Sequence, residues 1–115
     1  MKLDDLEPRH LVEVHKLWEE HVGFEDISFE SRMYDSPERF LKDLIERHGE
    51  SYRIGSRWDG HSRLEIRVNW KDEVTFRFYE NFDIKDRKGR RYKEARAAGE
   101  AFEKAVENYF ASLGF

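Results

Sequence analysis

The stretch Leu64-Glu65-Ile66-Arg67-Val68-Asn69-Trp70-Lys71-Asp72-Glu73-Val74-Thr75-Phe76-Arg77-Phe78 decides the fold. Its apolar residues fall at even positions on both sides of a polar break, the period-two pattern of strands that bury one face. The pattern predicts an antiparallel hairpin. A three-residue loop at Lys71, Asp72 and Glu73 pairs Trp70 with Val74, Val68 with Phe76, and Ile66 with Phe78. A two-residue loop would set Trp70 opposite Glu73 and mix the faces. The other face then carries Glu65, Arg67 and Asn69 beside Thr75, Arg77 and Tyr79, a polar surface of the kind that an antiparallel sheet leaves open to solvent or to a partner.

Upstream of the hairpin, Tyr52 and Ile54 alternate with polar residues and Asp59-Gly60 signals a turn, which adds one more strand. Downstream, Phe82 and Ile84 extend the alternation. Ser36-Pro37-Glu38 reads as a helix start, with a capping hydroxyl, Pro at the first helical position and an acid facing the positive end of the helix dipole. Phe40, Leu41, Leu44, Ile45 and His48 then mark an apolar stripe that Gly49 ends, with His48 placed to cap the dipole. An earlier helix runs from Pro8 to Val22, with Leu11, Val14, Leu17, Trp18 and Val22 on one face and Gly23 as its stop. The period is lost between Phe24 and Asp35, where Ile27 and Phe29 alternate only briefly, and a loop is expected.

The final helix spans about Arg91 to Leu113. Tyr92, Ala95, Gly99, Phe102, Val106, Tyr109 and Leu113 recur there at spacings of three and four. Ala95, Ala97, Ala98, Gly99 and Ala101 make its first half small-sided, so it can lie close to the sheet or another helix. Gly114 is placed to terminate it, with Phe115 folding back onto Phe110.

These elements predict an α+β fold of two N-terminal helices, a three-stranded antiparallel meander and a long C-terminal helix packed on one sheet face. The 115 residues make one domain, 1–115, in which 1–35 form the N-terminal helix and loop and 36–115 a helix-strand-strand-strand-helix unit. Nine Phe, five Tyr and three Trp supply a core. Charged residues reach 40% of the chain, against about 25% in an average globular protein, so the surface is heavily charged.

Composition restricts function as well. The absence of cysteine excludes disulfides and thiolate metal sites. The Met1-Lys2-Leu3-Asp4-Asp5 start lacks the apolar run of a secretory signal, so a cytoplasmic protein without a membrane partner is expected. His15, Glu19 and His21 lie near one side of the first helix at a spacing that can assemble a metal site. No second element supplies a third ligand, and His15 with Glu19 reads as an exposed pair, so neither a metal nor a cofactor is expected. Adjacent acids such as Glu19-Glu20 and Asp72-Glu73 follow from the 25 acidic residues alone. The GxSxG, HExxH, Walker A and GxGxxG patterns are all missing. The expectation is a non-catalytic binding module with no catalytic residue.

The net charge of −4 is unevenly spread. Residues 1–50 hold seven basic and fourteen acidic side chains, 51–96 hold thirteen basic and eight acidic, and 97–115 hold one basic and three acidic. Seven basic and two acidic side chains gather in Lys85-Asp86-Arg87-Lys88-Gly89-Arg90-Arg91-Tyr92-Lys93-Glu94-Ala95-Arg96, which leads into the last helix. A helix start offers unpaired amides and partial positive charge, and arginines or lysines around it make a phosphate site. The same residues are unfavourable for the helix dipole, a tension that points to function.

Helix, three antiparallel strands and helix is the order of the double-stranded RNA-binding domain. Tyr92-Lys93-Glu94-Ala95-Arg96-Ala97-Ala98 resembles that family's Lys-Lys-x-Ala-Lys-x-x-Ala helix start, with Tyr92 in place of the first lysine. His61, after Asp59-Gly60, resembles the histidine of the loop that enters the RNA minor groove. The resemblance covers residues 37–113 and implies recognition of A-form shape, with the last helix's basic start on phosphates. Two functional readings follow. In the first, the protein binds double-stranded RNA, other nucleic acid or another polyanion through Arg90, Arg91, Lys93 and Arg96, helped by His61, Arg63 and Lys88. In the second, a small acidic protein-binding factor, such as a nuclease inhibitor, immunity protein or phage-encoded antagonist, meets a basic protein partner through its acidic N-terminal half.

Overall fold

The computed structural model describes residues 1–23, 36–46, 51–56 and 62–115, with the backbone alone described for residues 40, 43, 44, 51–56 and 63. The segment 24–35, His48 with its Gly49 stop, the Asp59-Gly60 turn and His61 lie outside the described residues. The fold is α+β, with helices, an antiparallel sheet and a long C-terminal helix. Helix α1 spans Pro8–His21 and α2 Pro37–Glu46, followed by β1 (Ser51–Ser56), β2 (Ser62–Val68), β3 (Val74–Glu80) and α3 (Arg90–Ser112). The strands lie in the order β1-β2-β3, with an irregularity in β1 between Ile54 and Ser56.

Register differs from the sequence expectation by two residues. Val68 pairs with Val74, Ile66 with Phe76 and Leu64 with Phe78. The loop has the expected three residues, but they are Trp70, Lys71 and Asp72. Asn69 sets this position. Its Oδ1 accepts the N–H groups of Lys71 and Glu73, both at 2.9 Å. The Asn69 N–H donates to the Glu73 carbonyl at 3.1 Å, and the Asp72 N–H to the Asn69 carbonyl at 3.0 Å. Asp72 adopts the left-handed conformation at φ 63°, which Asn and Asp tolerate better than most residues. Turn chemistry thus outweighs burial of an indole at the sheet end, and Trp70 is 81% exposed instead of joining the core. A shift of two keeps every side chain on its expected face, so Leu64, Ile66, Val68, Val74, Phe76 and Phe78 are all buried.

The core joins that face to both flanking helices. Leu11, Val14 and Trp18 of α1 and Ala95, Phe102, Val106 and Phe110 of α3 complete it. Trp18 meets Phe102 edge-on at 5.0 Å, and Phe76 stacks on Phe110 at 5.7 Å. Helix α1 contacts both α2 and α3, so its buried surface is wider than one stripe. His15 is therefore 1% exposed, not half of an exposed pair with Glu19. The strand alternation also ends earlier than expected. Beyond Glu80, Phe82 stays buried, but Ile84 opens a 3-10 turn, Ile84–Asp86, and is 81% exposed. In α2, Ile45 leaves the expected stripe and is half exposed.

Strand β3 forms one edge of the sheet, and its outward N–H groups are partly covered. The Met1 carbonyl accepts from the Val74 N–H at 2.8 Å, and the Glu103 carboxylate of α3 accepts from the Phe78 N–H at 2.9 Å. Helix α3 closes as expected, with Gly114 at φ 93°. The Phe115 N–H donates to the Phe110 carbonyl and the Gly114 N–H to the Ala111 carbonyl, both at 3.0 Å, a Schellman stop.

Candidate functional site

The basic segment is built around the passage from β3 into α3. Glu80, at the end of β3, accepts the Phe82 N–H at 2.9 Å and lies 3.9 Å from Arg87 Nη2. Arg87 Nε reaches the Phe82 carbonyl at 3.4 Å. These bonds fold the connection back on itself, and Phe82 anchors it against Tyr92, ring centroids 5.5 Å apart and edge-on. Gly89 is the N-cap of α3, and no side chain caps the helix there.

The result is a concavity of about 450 Å³ at the start of α3, lined by Phe82, Lys85, Asp86, Gly89, Arg90 and Arg91. Gly89 has no side chain to fill this space, and Lys85, Arg90 and Arg91 are exposed around it. A small anion entering there meets first-turn amides and the positive end of a 23-residue helix.

Of the residues expected from sequence, Arg90 and Arg91 line this concavity. Arg90 also donates to Glu94 at 2.8 Å, one turn along the exposed helix face. Lys88 and Lys93 are exposed nearby but do not line it. Arg96 is turned toward the sheet, with its guanidinium 5.8 Å from the centre of the Phe78 ring and 3.8 Å from Glu100. Arg63 stands in β2 opposite Tyr79. Lys85 and Asp86, which open the basic segment but were not among the residues expected to bind, also line the site. The exposed 3-10 turn that brings them in carries no periodic signal.

Among the described residues, no group of His, Asp or Glu side chains is arranged to hold a metal ion. Nor is any helix among them long and apolar enough to cross a membrane. Compared with protein-family models, curated proteins and solved structures, the chain matches none of them.

Proposed function

We propose that this protein is a non-catalytic binding module that holds phosphate groups of nucleic acid, or of another polyanion, at the basic start of α3. The observation that carries the reading is the uncapped helix start opening into a concavity bordered by Lys85, Arg90 and Arg91. Cations at a helix N-terminus oppose the dipole, and the exposed Arg90–Glu94 pair offsets that cost only weakly. A bound anion offsets it directly.

Double-stranded RNA is the favoured polyanion. The order α2, β1, β2, β3, α3 is that of the double-stranded RNA-binding domain, in which the last helix lays its basic start on phosphates. Arg91, Lys93, Lys88 and Arg90 supply charge at the corresponding end of α3, and His61 belongs to the same reading by its place in the sequence. Titration of labelled duplex RNA and DNA of one sequence tests it. RNA should bind more tightly at equal salt, with affinity falling steeply as salt rises. The variant Arg91→Glu with Lys93→Glu should melt like the wild type and bind weakly. No binding to either duplex would overturn the proposal and leave capture of a basic protein by the acidic N-terminal half, where Asp4, Asp5, Glu7, Glu19 and Glu20 stand exposed.

A further inference from the structure

The face of the sheet turned away from the core carries an unusual charge pattern. Glu65 lies at its centre and is 3% exposed. Register places Arg53 of β1 and Arg77 of β3 directly opposite it, while Arg63 and Arg67 lie two residues away along β2. The four nearest positions on that face are therefore all arginine. Arg67 donates its Nε to the Glu65 carboxylate, and Arg67 and Arg77 both remain exposed. With Phe78 and Tyr79, the three residues line a concavity of about 230 Å³.

One buried carboxylate balances one guanidinium. Counted by strand position, four arginines stand against one carboxylate among the described residues, and Arg53 and Arg77 each lie diagonal to Arg63 and Arg67 across the strands. The strands β1, β2 and β3 contain no lysine. Every cation on this face is thus of the planar, forked kind that pairs with phosphate through two parallel bonds. With Nε committed to Glu65, Arg67 is held in orientation and keeps its terminal nitrogens for a ligand.

We infer that this arginine face is a second phosphate-contact surface, and that its ligand is the phosphodiester backbone of nucleic acid. The inference rests on the polyanion reading above but on a different surface, so the two can fail separately. The matching chemistry is a row of single negative charges presented to a net-positive face, with Glu65 fixing the guanidinium geometry and the phosphates supplying the missing countercharge.

The test is a titration of labelled duplex RNA over a range of salt with four proteins: wild type, Arg77→Gln, Arg63→Gln with Arg77→Gln, and Arg91→Glu with Lys93→Glu. Arg77 is chosen because it is exposed, while Arg67 donates to Glu65. A thermal melt of each variant confirms its fold, and Arg77→Met, also neutral and of similar length, replaces Arg77→Gln if the latter is unfolded. Arg77→Gln should weaken binding several-fold and flatten the slope of log affinity against log salt by about one, and the double variant by about two. Folded sheet variants that bind like the wild type, alongside a weakened helix variant, would overturn the inference and leave the helix reading intact. Weakened sheet variants beside an unaffected helix variant would uphold the inference and remove the helix site. Absence of wild-type binding would remove both.

Discussion

Gly99 sets how closely α3 approaches the sheet. A Cβ at that position would lie 2.2 Å from Cγ of Phe78, far inside van der Waals contact, and that ring is buried beside Trp18. Gly99→Ala should therefore destabilise the domain by about 1–3 kcal/mol through overpacking, although alanine is the better helix former. A thermal melt showing the variant as stable as the wild type would contradict this contact. His10 adds a pH dependence. It is 1% exposed, its Nδ1 accepts the Glu7 N–H at 2.9 Å, and it is ringed by Tyr109, Phe110 and Phe115. Burial pushes its pKa below the ordinary 6.5, against the nearby Glu7 carboxylate, which pulls it up, and Arg9, which lowers it further. Below about pH 6.5 the unfolded histidine takes up a proton that the folded one resists. Its contribution is complete above that pH and is lost as pH falls toward the folded value. Protonation at Nδ1 also removes the acceptor of the capping bond. His10→Gln keeps a side-chain acceptor at this helix position, so denaturant melts at pH 7.5 and 5.5, roughly spanning the histidine pKa, should show a smaller loss in the variant. Equal losses would rule out His10 as the source.

At the scale of elements, the sequence was most informative where periodicity speaks and least where local turn chemistry decides. The limits of α1 and α3, the buried even-numbered sheet face and the Gly114 stop all followed from spacing. The hairpin register did not, because alternation is indifferent to a shift of two residues and only the turn distinguishes the alternatives. Asn69 chose it by bonding two amides across the loop. Trp70→Ser should accordingly change stability by less than about 0.5 kcal/mol, as an exposed surface change does, whereas Asn69→Ala should cost about 1 kcal/mol by removing bonds to loop amides. Denaturant titration of both variants separates the registers, since a core Trp70 would make the first substitution the more damaging. Ile84 shows the same limit. Alternation carried the last strand past Glu80, but Phe82 and Arg87 instead fold the chain into a 3-10 turn.

Across the whole molecule, the sequence located the positive charge without locating the site. Counting residues marked 85–96, and the structure divides that segment into a lined concavity, two flanking lysines and an arginine committed to Phe78 and Glu100. The arginine positions around Glu65 were harder to see. In the sequence, Glu65 and Arg67 are ordinary outward residues of an alternating strand, and only the pairing of three strands places four arginine positions next to Glu65. The buried His15 was hidden for a related reason, since the width of a helix's buried face depends on how many neighbours it has. A two-dimensional amide NMR titration of the protein with a short RNA duplex shows directly whether the start of α3 is the contact. Binding at the start of α3 should move the amide signals of Lys85, Asp86, Gly89, Arg90, Arg91 and Tyr92 early in the titration, while those of Val106 to Ser112 at the far end of the helix stay in place. Signals of residues 85–92 that remain unmoved while the duplex is bound would contradict it.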